Sequence, residues 1–187
     1  MGFIRKPQVL AGKEPVDTID ALISQVRVDT LLPSRLAESA AEVRRNIEAA
    51  TQLYKPEVLR DLVIQLGSSG TQKRFANVAL HTARAQLKDF REKLENDSRK
   101  FAEVKAQYDA AWSSLKEEQA PMMEFLARHA PSDGRVSSLG EQLKKYTEAM
   151  EGAKEDIDSL GTLISSSRDS VSRLEKDIEA AAKGYSK

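Results

Sequence analysis

HAPSDGRVSS, residues 129–138, gathers a Pro, a Gly, an Asp and three Ser between two long charged runs. Clusters of this kind punctuate helices. The stretch either ends a domain or turns a helical hairpin, and the periodicity on its two sides decides between them. Upstream, every seventh residue from Leu80 is apolar: Leu80, Leu87, Leu94, Phe101, Tyr108, Leu115 and Met122. The companion set is Ala76, Ala83, Phe90, Asp97, Val104, Ala111, Glu118 and Phe125, and only Asp97 and Glu118 interrupt it. Together these are the a and d positions of a heptad repeat.

Downstream the pattern restarts. One set is Val136, Leu143, Met150, Ile157, Ile164, Val171 and Ile178, and the other is Leu139, Tyr146, Ala153, Leu160, Ser167, Leu174 and Ala181. Ser167 is the single small polar member. Ser138 with Glu141 has the form of a capping box for this second helix. The heptad run in each arm, from Leu80 to Phe125 and from Val136 to Ala181, covers ~46 residues, or ~70 Å as a helix. A short connection between helices favours antiparallel neighbours. The expected fold is therefore all-α: a long antiparallel two-helix coiled-coil hairpin with a small N-terminal helical bundle packed at its base. Its arms are residues 71–128 and 137–183, and its tip is 129–136. The pairing expected across the seam joins residues whose numbers sum to 261, such as Phe101 with Leu160. A slip of one heptad keeps a opposite d as well. Pro121 lies inside the first arm and should bend it, because it removes a backbone hydrogen bond and crowds the preceding turn.

The rest of the chain reads as shorter helices. Residues 1–14 have no period and form an N-terminal arm. Residues 15–70 form the N-terminal short helices, and residues 71–187 form the hairpin. Asp17 is a cap for a first helix bearing Val16, Ile19, Ile23 and Val26 on one face. Pro33 restarts a helix with the stripe Leu36, Ala40, Val43, Ile47, Ala50 and Tyr54. Pro56 opens a third helix with Leu59, Leu62 and Leu66. Gly67–Gly70 is a stop, and Thr71 offers the next cap.

Charge and composition exclude several function classes. The chain carries 29 Lys and Arg against 29 Asp and Glu, so no global charge selects a polyanion. It has no Cys, hence no disulfide framework, thiolate metal site or Cys nucleophile. No apolar run reaches the ~20 residues of a membrane span, and no stretch reads as a signal peptide. Met1-Gly2 is followed by Lys6 where a myristoylation signal has Ser or Thr. The expected location is the cytoplasm, free or within a particle assembled inside a cell.

Few constellations carry chemistry. His81 and His129 have no second His at metal spacing and read as structural or surface residues. Asp97 and Glu118 are seam breaks that either fix register or sit where the seam is wet. GSSGTQKR, residues 67–74, is a Gly-Ser loop entering a helix, but it lacks the Walker spacing and a preceding strand. Lys73, Arg74, Arg84, Lys88 and Arg91 form a candidate polyanion-binding zone within residues 73–100, for nucleic acid or an anionic membrane. An ordinary helix face with ion pairs such as Asp89 with Lys93 accounts for them too. Trp112 lies beside the seam and either covers its edge or anchors a partner.

The expected function is that of a non-enzymatic structural or assembly protein acting through coiled-coil protein–protein interaction, as a homo-oligomer or part of a larger assembly. No cofactor, metal or small-molecule substrate is expected. The alternative is a peripheral nucleic-acid- or membrane-binding protein using the basic zone. An intramolecular hairpin and a domain-swapped dimer fit the sequence equally.

Overall fold

The computed structural model describes residues 15–68 and 73–185, and those residues are helical apart from short connections, with no strand among them. In chain order the helices are α1 (Pro15–Gln25), α2 (Leu32–Tyr54), α3 (Pro56–Ser68), α4 (Lys73–Ser114), a π turn (Leu115–Gln119), α5 (Ala120–His129) and α6 (Gly134–Tyr185). The arm of residues 1–14 and the GSSG stop beyond Ser68 lie outside the described residues, as do the side chains of Val16, Asp17, Leu66, Lys73 and Arg74.

Local chemistry sets the helix ends. Asp29 starts α2: its Oδ1 accepts the backbone N–H groups of Leu31 and Leu32, both at 3.2 Å, and its Oδ2 accepts from Arg35 at 2.9 Å. A carboxylate at a helix N-terminus satisfies orphan donors and faces the positive end of the dipole. Pro33 follows in the first turn, where no N–H is needed. At the other end, Pro56 disfavours right-handed helix at the residue before it. Lys55 accordingly takes a φ of 42°, while its N–H still reaches the Thr51 carbonyl at 2.9 Å.

The start of α6 differs from the expected one. Ser138 lies one turn inside the helix, and Asp133 is the capping residue. Its Oδ1 accepts the Arg135 N–H at 2.9 Å, and its carbonyl accepts from Val136 and Ser137. The connection between α5 and α6 is residues 130–133, shorter than the expected 129–136.

The described residues fall into two compact units. The first comprises 15–36 and 106–154, and the second comprises 37–68, 73–105 and 155–185. In the second unit the core is drawn mainly from three long helices: Ala40, Val43, Ile47 and Ala50 of α2, Ala76, Leu80, Ala83, Leu87, Phe90, Leu94, Asp97 and Val104 of α4, and Ile157, Leu160, Ile164, Val171, Leu174 and Ile178 of α6 are buried, joined by Leu59 of α3. The α2 stripe is thus a third seam, and it has the same 4–3 spacing as the others. In the first unit Val26, Leu36, Tyr108, Leu115, Met123, Leu126, Val136, Leu143, Tyr146, Met150 and Ala153 are buried. There α1 packs against α5.

Candidate interaction surface

In the second unit the seam is built of helices whose contacts fix their alignment. Phe101 is half-buried, and its ring edge lies 3.2 Å from where a Cβ on Gly161 would stand. Arg84 pairs with Glu179 at 3.2 Å, and Arg91 pairs with Glu175. Arg44 of α2 donates to Ser159 Oγ at 2.7 Å, and Arg60 of α3 approaches Asp177 at 3.7 Å. Tyr54 meets Phe90 edge to face, with ring centroids 5.6 Å apart, and Lys93 lies 5.3 Å over the Tyr54 ring.

Asp97 is buried at its seam position. Desolvation pushes its carboxyl above the ordinary carboxylate value, against the Lys100 charge, the polar Asn46 side chain and the Lys93 charge. Ser98, also buried, donates back to the Leu94 carbonyl at 2.7 Å. The other expected break, Glu118, is exposed and accepts from Ser114 at 3.3 Å.

In the first unit the seam departs from the expected register at the π turn. Ala120 N–H reaches back five residues to the Leu115 carbonyl. The turn adds one residue to the helical period, so burial passes from Leu115 to Gln119, Met123 and Leu126. Glu118, Met122 and Phe125 are the positions expected from the heptads, and none is buried: Met122 is half-buried and gives its place to Met123. The cause lies two residues on. Pro121 cannot donate to the preceding turn and its ring crowds it, so the helix widens just before the proline. A π turn is thus found just before Pro121. Of the remaining seam positions, Leu139 is half-buried and Leu143, Tyr146 and Met150 are buried.

A cleft of about 500 Å3 lies beside the π turn. Arg27, Asp29, Leu115, Gln119, Met122 and Tyr146 line it. Burial, with the Asp29 charge beside it, pushes the Tyr146 phenol above its ordinary value. Sequence reasoning missed Gln119, because a polar residue one place off the heptad carries no signal of its own.

The candidate polyanion zone is partly spent on the fold. Arg84 and Arg91 face glutamates of α6, whereas Lys88 is exposed. Trp112 is half-buried, stacked on Tyr108 with centroids 6.1 Å apart, and Lys116 sits 4.6 Å over its ring. His81 is exposed, and His129 is exposed against Phe125 at 4.1 Å between centroids. Among the described residues no group of three His, Asp or Glu is placed to hold a metal ion, and no helix is long and apolar enough to cross a membrane. No protein family, curated protein or solved structure matches this chain.

Proposed function

We propose that this chain is a structural or assembly protein, working through coiled-coil packing of a long antiparallel helical hairpin with other protein chains, and in the first place with copies of itself. The observation that carries the reading is the opposed numbering of the α4 and α6 contacts. Arg84 with Glu179, Arg91 with Glu175 and Phe101 with Gly161 pair rising positions with falling ones. Their numbers sum to 263, 266 and 262, between the 261 and 268 of the two alignments that keep a opposite d. Heptad seams are surfaces for helix–helix pairing and recur in protein assembly.

The basic zone is the weaker basis for a function, since two of its arginines already face carboxylates. Light scattering after size exclusion, at low and high salt, tests the proposal. A mass of several chains at both salts is expected, because a seam held by apolar burial is insensitive to screening. A mass of one chain at every concentration would overturn self-assembly.

A further inference from the structure

In the first unit, the chain beyond Leu115 carries two seams side by side. Gln119, Met123 and Leu126 are buried. Glu118, Met122 and Phe125 each stand one residue earlier and continue the heptads of α4. Glu118 is exposed, and Met122 and Phe125 are half-buried. The two sets match member by member: Glu beside Gln, Met beside Met, Phe beside Leu. They lie ~100° apart around a helix, so one residue more or less in the preceding turn decides which set faces the core. The π turn supplies that residue, with the Ala120 N–H reaching back to the Leu115 carbonyl.

We propose that α5 is a two-register element. The π turn presents Gln119, Met123 and Leu126 to the seam, and closing it to α geometry rotates α5 to present Glu118, Met122 and Phe125. Apolar burial does not choose between them, since Met replaces Met and Phe replaces Leu. Three local features choose. Pro121 has no N–H, and in a straight helix its ring would crowd the Glu117 carbonyl. Glu118 would enter the seam as a charge, which costs far more than burying the neutral Gln119 amide. Gln119 also accepts the Arg27 N–H at 2.7 Å, a bond that rotation breaks. Arg27 follows α1, and α1 packs against α5, so the seating of α1 and the register of α5 are linked. Glu118, Gln119 and Met122 line the cleft beside the turn, so rotation redraws that cleft as well. The inference concerns packing inside the first unit and does not depend on whether the chain assembles with others.

The chain carries its own probes. Met122 and Met123 report the two registers, and Met150, buried in the same unit, is the reference. The full chain is exposed briefly to hydrogen peroxide, and sulfoxide at each methionine is read by tandem mass spectrometry. In the natural chain Met122 oxidises severalfold faster than Met123, and Met150 stays protected. The triple variant Glu118→Gln, Gln119→Lys, Pro121→Ala reverses all three features and keeps every methionine. It moves the charge to the other register, removes the acceptor for Arg27 and relieves the crowding. There Met123 is expected to match or overtake Met122 while Met150 stays protected. Met122 remaining severalfold faster in the variant overturns the proposal, since one register would persist without the features said to select it. Loss of Met150 protection in the variant overturns it too, because the second seam would then not pack. Equal rates at Met122 and Met123 in the natural chain would refute it by removing the single register from which it starts.

Discussion

Gln119 Oε1 accepts the backbone N–H of Arg27 at 2.7 Å, across 92 residues of chain. The buried amide thereby ties the segment after α1 to the π turn. Gln119→Leu keeps the volume of the seam and strands that N–H, at a cost of ~1–3 kcal/mol. Thermal unfolding should show it as a fall of ~2–4 °C per kcal/mol. An unchanged midpoint would mean that water serves Arg27 as well as Gln119 does.

The π turn also makes a deletion harmless at one place and ruinous at another. Removing Glu117 takes out the extra residue and returns Gln119, Met123 and Leu126 to a continuous heptad. The expected loss is ~1 kcal/mol or less, since the same apolar residues stay buried. Removing Glu103 from the uninterrupted repeat instead rotates the following seam by ~100° and abolishes cooperative unfolding. Circular dichroism melts of the two deletions distinguish these outcomes. Equal damage from both would show that the π turn has a role beyond accommodating Pro121.

These residues mark what is legible in the sequence. The heptads at Leu80 to Leu115 and at Val136 to Ile178 announce long packed helices, because a 3.5 period has few other uses. The shift at Pro121 is invisible in them. Met122 lies beside Met123, and Phe125 beside Leu126, so both registers read as apolar and only backbone geometry separates them. The stripe from Leu36 to Tyr54 is plain as an amphipathic helix, yet its place as a third seam depends on contacts distant in sequence. Asp97 stands out as a break, whereas Asn46 does not, since a polar residue on a helix is unremarked until a buried carboxyl faces it.

The raised pKa of Asp97 has a definite pH signature. Its folded value lies above the ordinary 3.8, so folding favours the protonated acid. That contribution is complete below the ordinary value and is lost as pH rises through the folded one. Asp97→Asn is neutral throughout. The variant should therefore gain stability relative to the native chain as pH rises from about 3 to 7 and the carboxyl ionises. Paired melts across that range read the difference. A constant difference would mean that the Lys100 and Lys93 charges offset the burial.

Two helix glycines should respond differently to the same change. A Cβ added at Gly152 would meet nothing within 4 Å, whereas one added at Gly161 would meet the Phe101 ring at 3.2 Å. Alanine is favoured over glycine inside a helix by ~0.8–1 kcal/mol. Gly152→Ala should gain most of that. Gly161→Ala should gain less or lose, as Phe101 must move aside. Urea midpoints with an unchanged slope are the readout, and equal gains would show that Phe101 yields freely.

The connection between α5 and α6 separates tolerance from anchoring within four residues. Pro131 and Ser132 are exposed, so a Gly-Ser insertion between them should shift stability by well under ~1 kcal/mol, the added closure entropy being slight. Asp133 and Arg135 are tied down. Asp133 caps α6, and Arg135 bridges it at 2.8 Å and Asp20 of α1 at 2.7 Å. Arg135 holds the Asp133 carboxyl below its ordinary value. Asp133→Ala should lower the melting midpoint more than the insertion does, through the lost cap. Asp20→Ala should lower it less than Asp133→Ala, because an exposed pair contributes little. Melting of the three variants orders these effects. A large loss from the insertion alone would mean that the exposed turn, and not its cap, holds the first unit together.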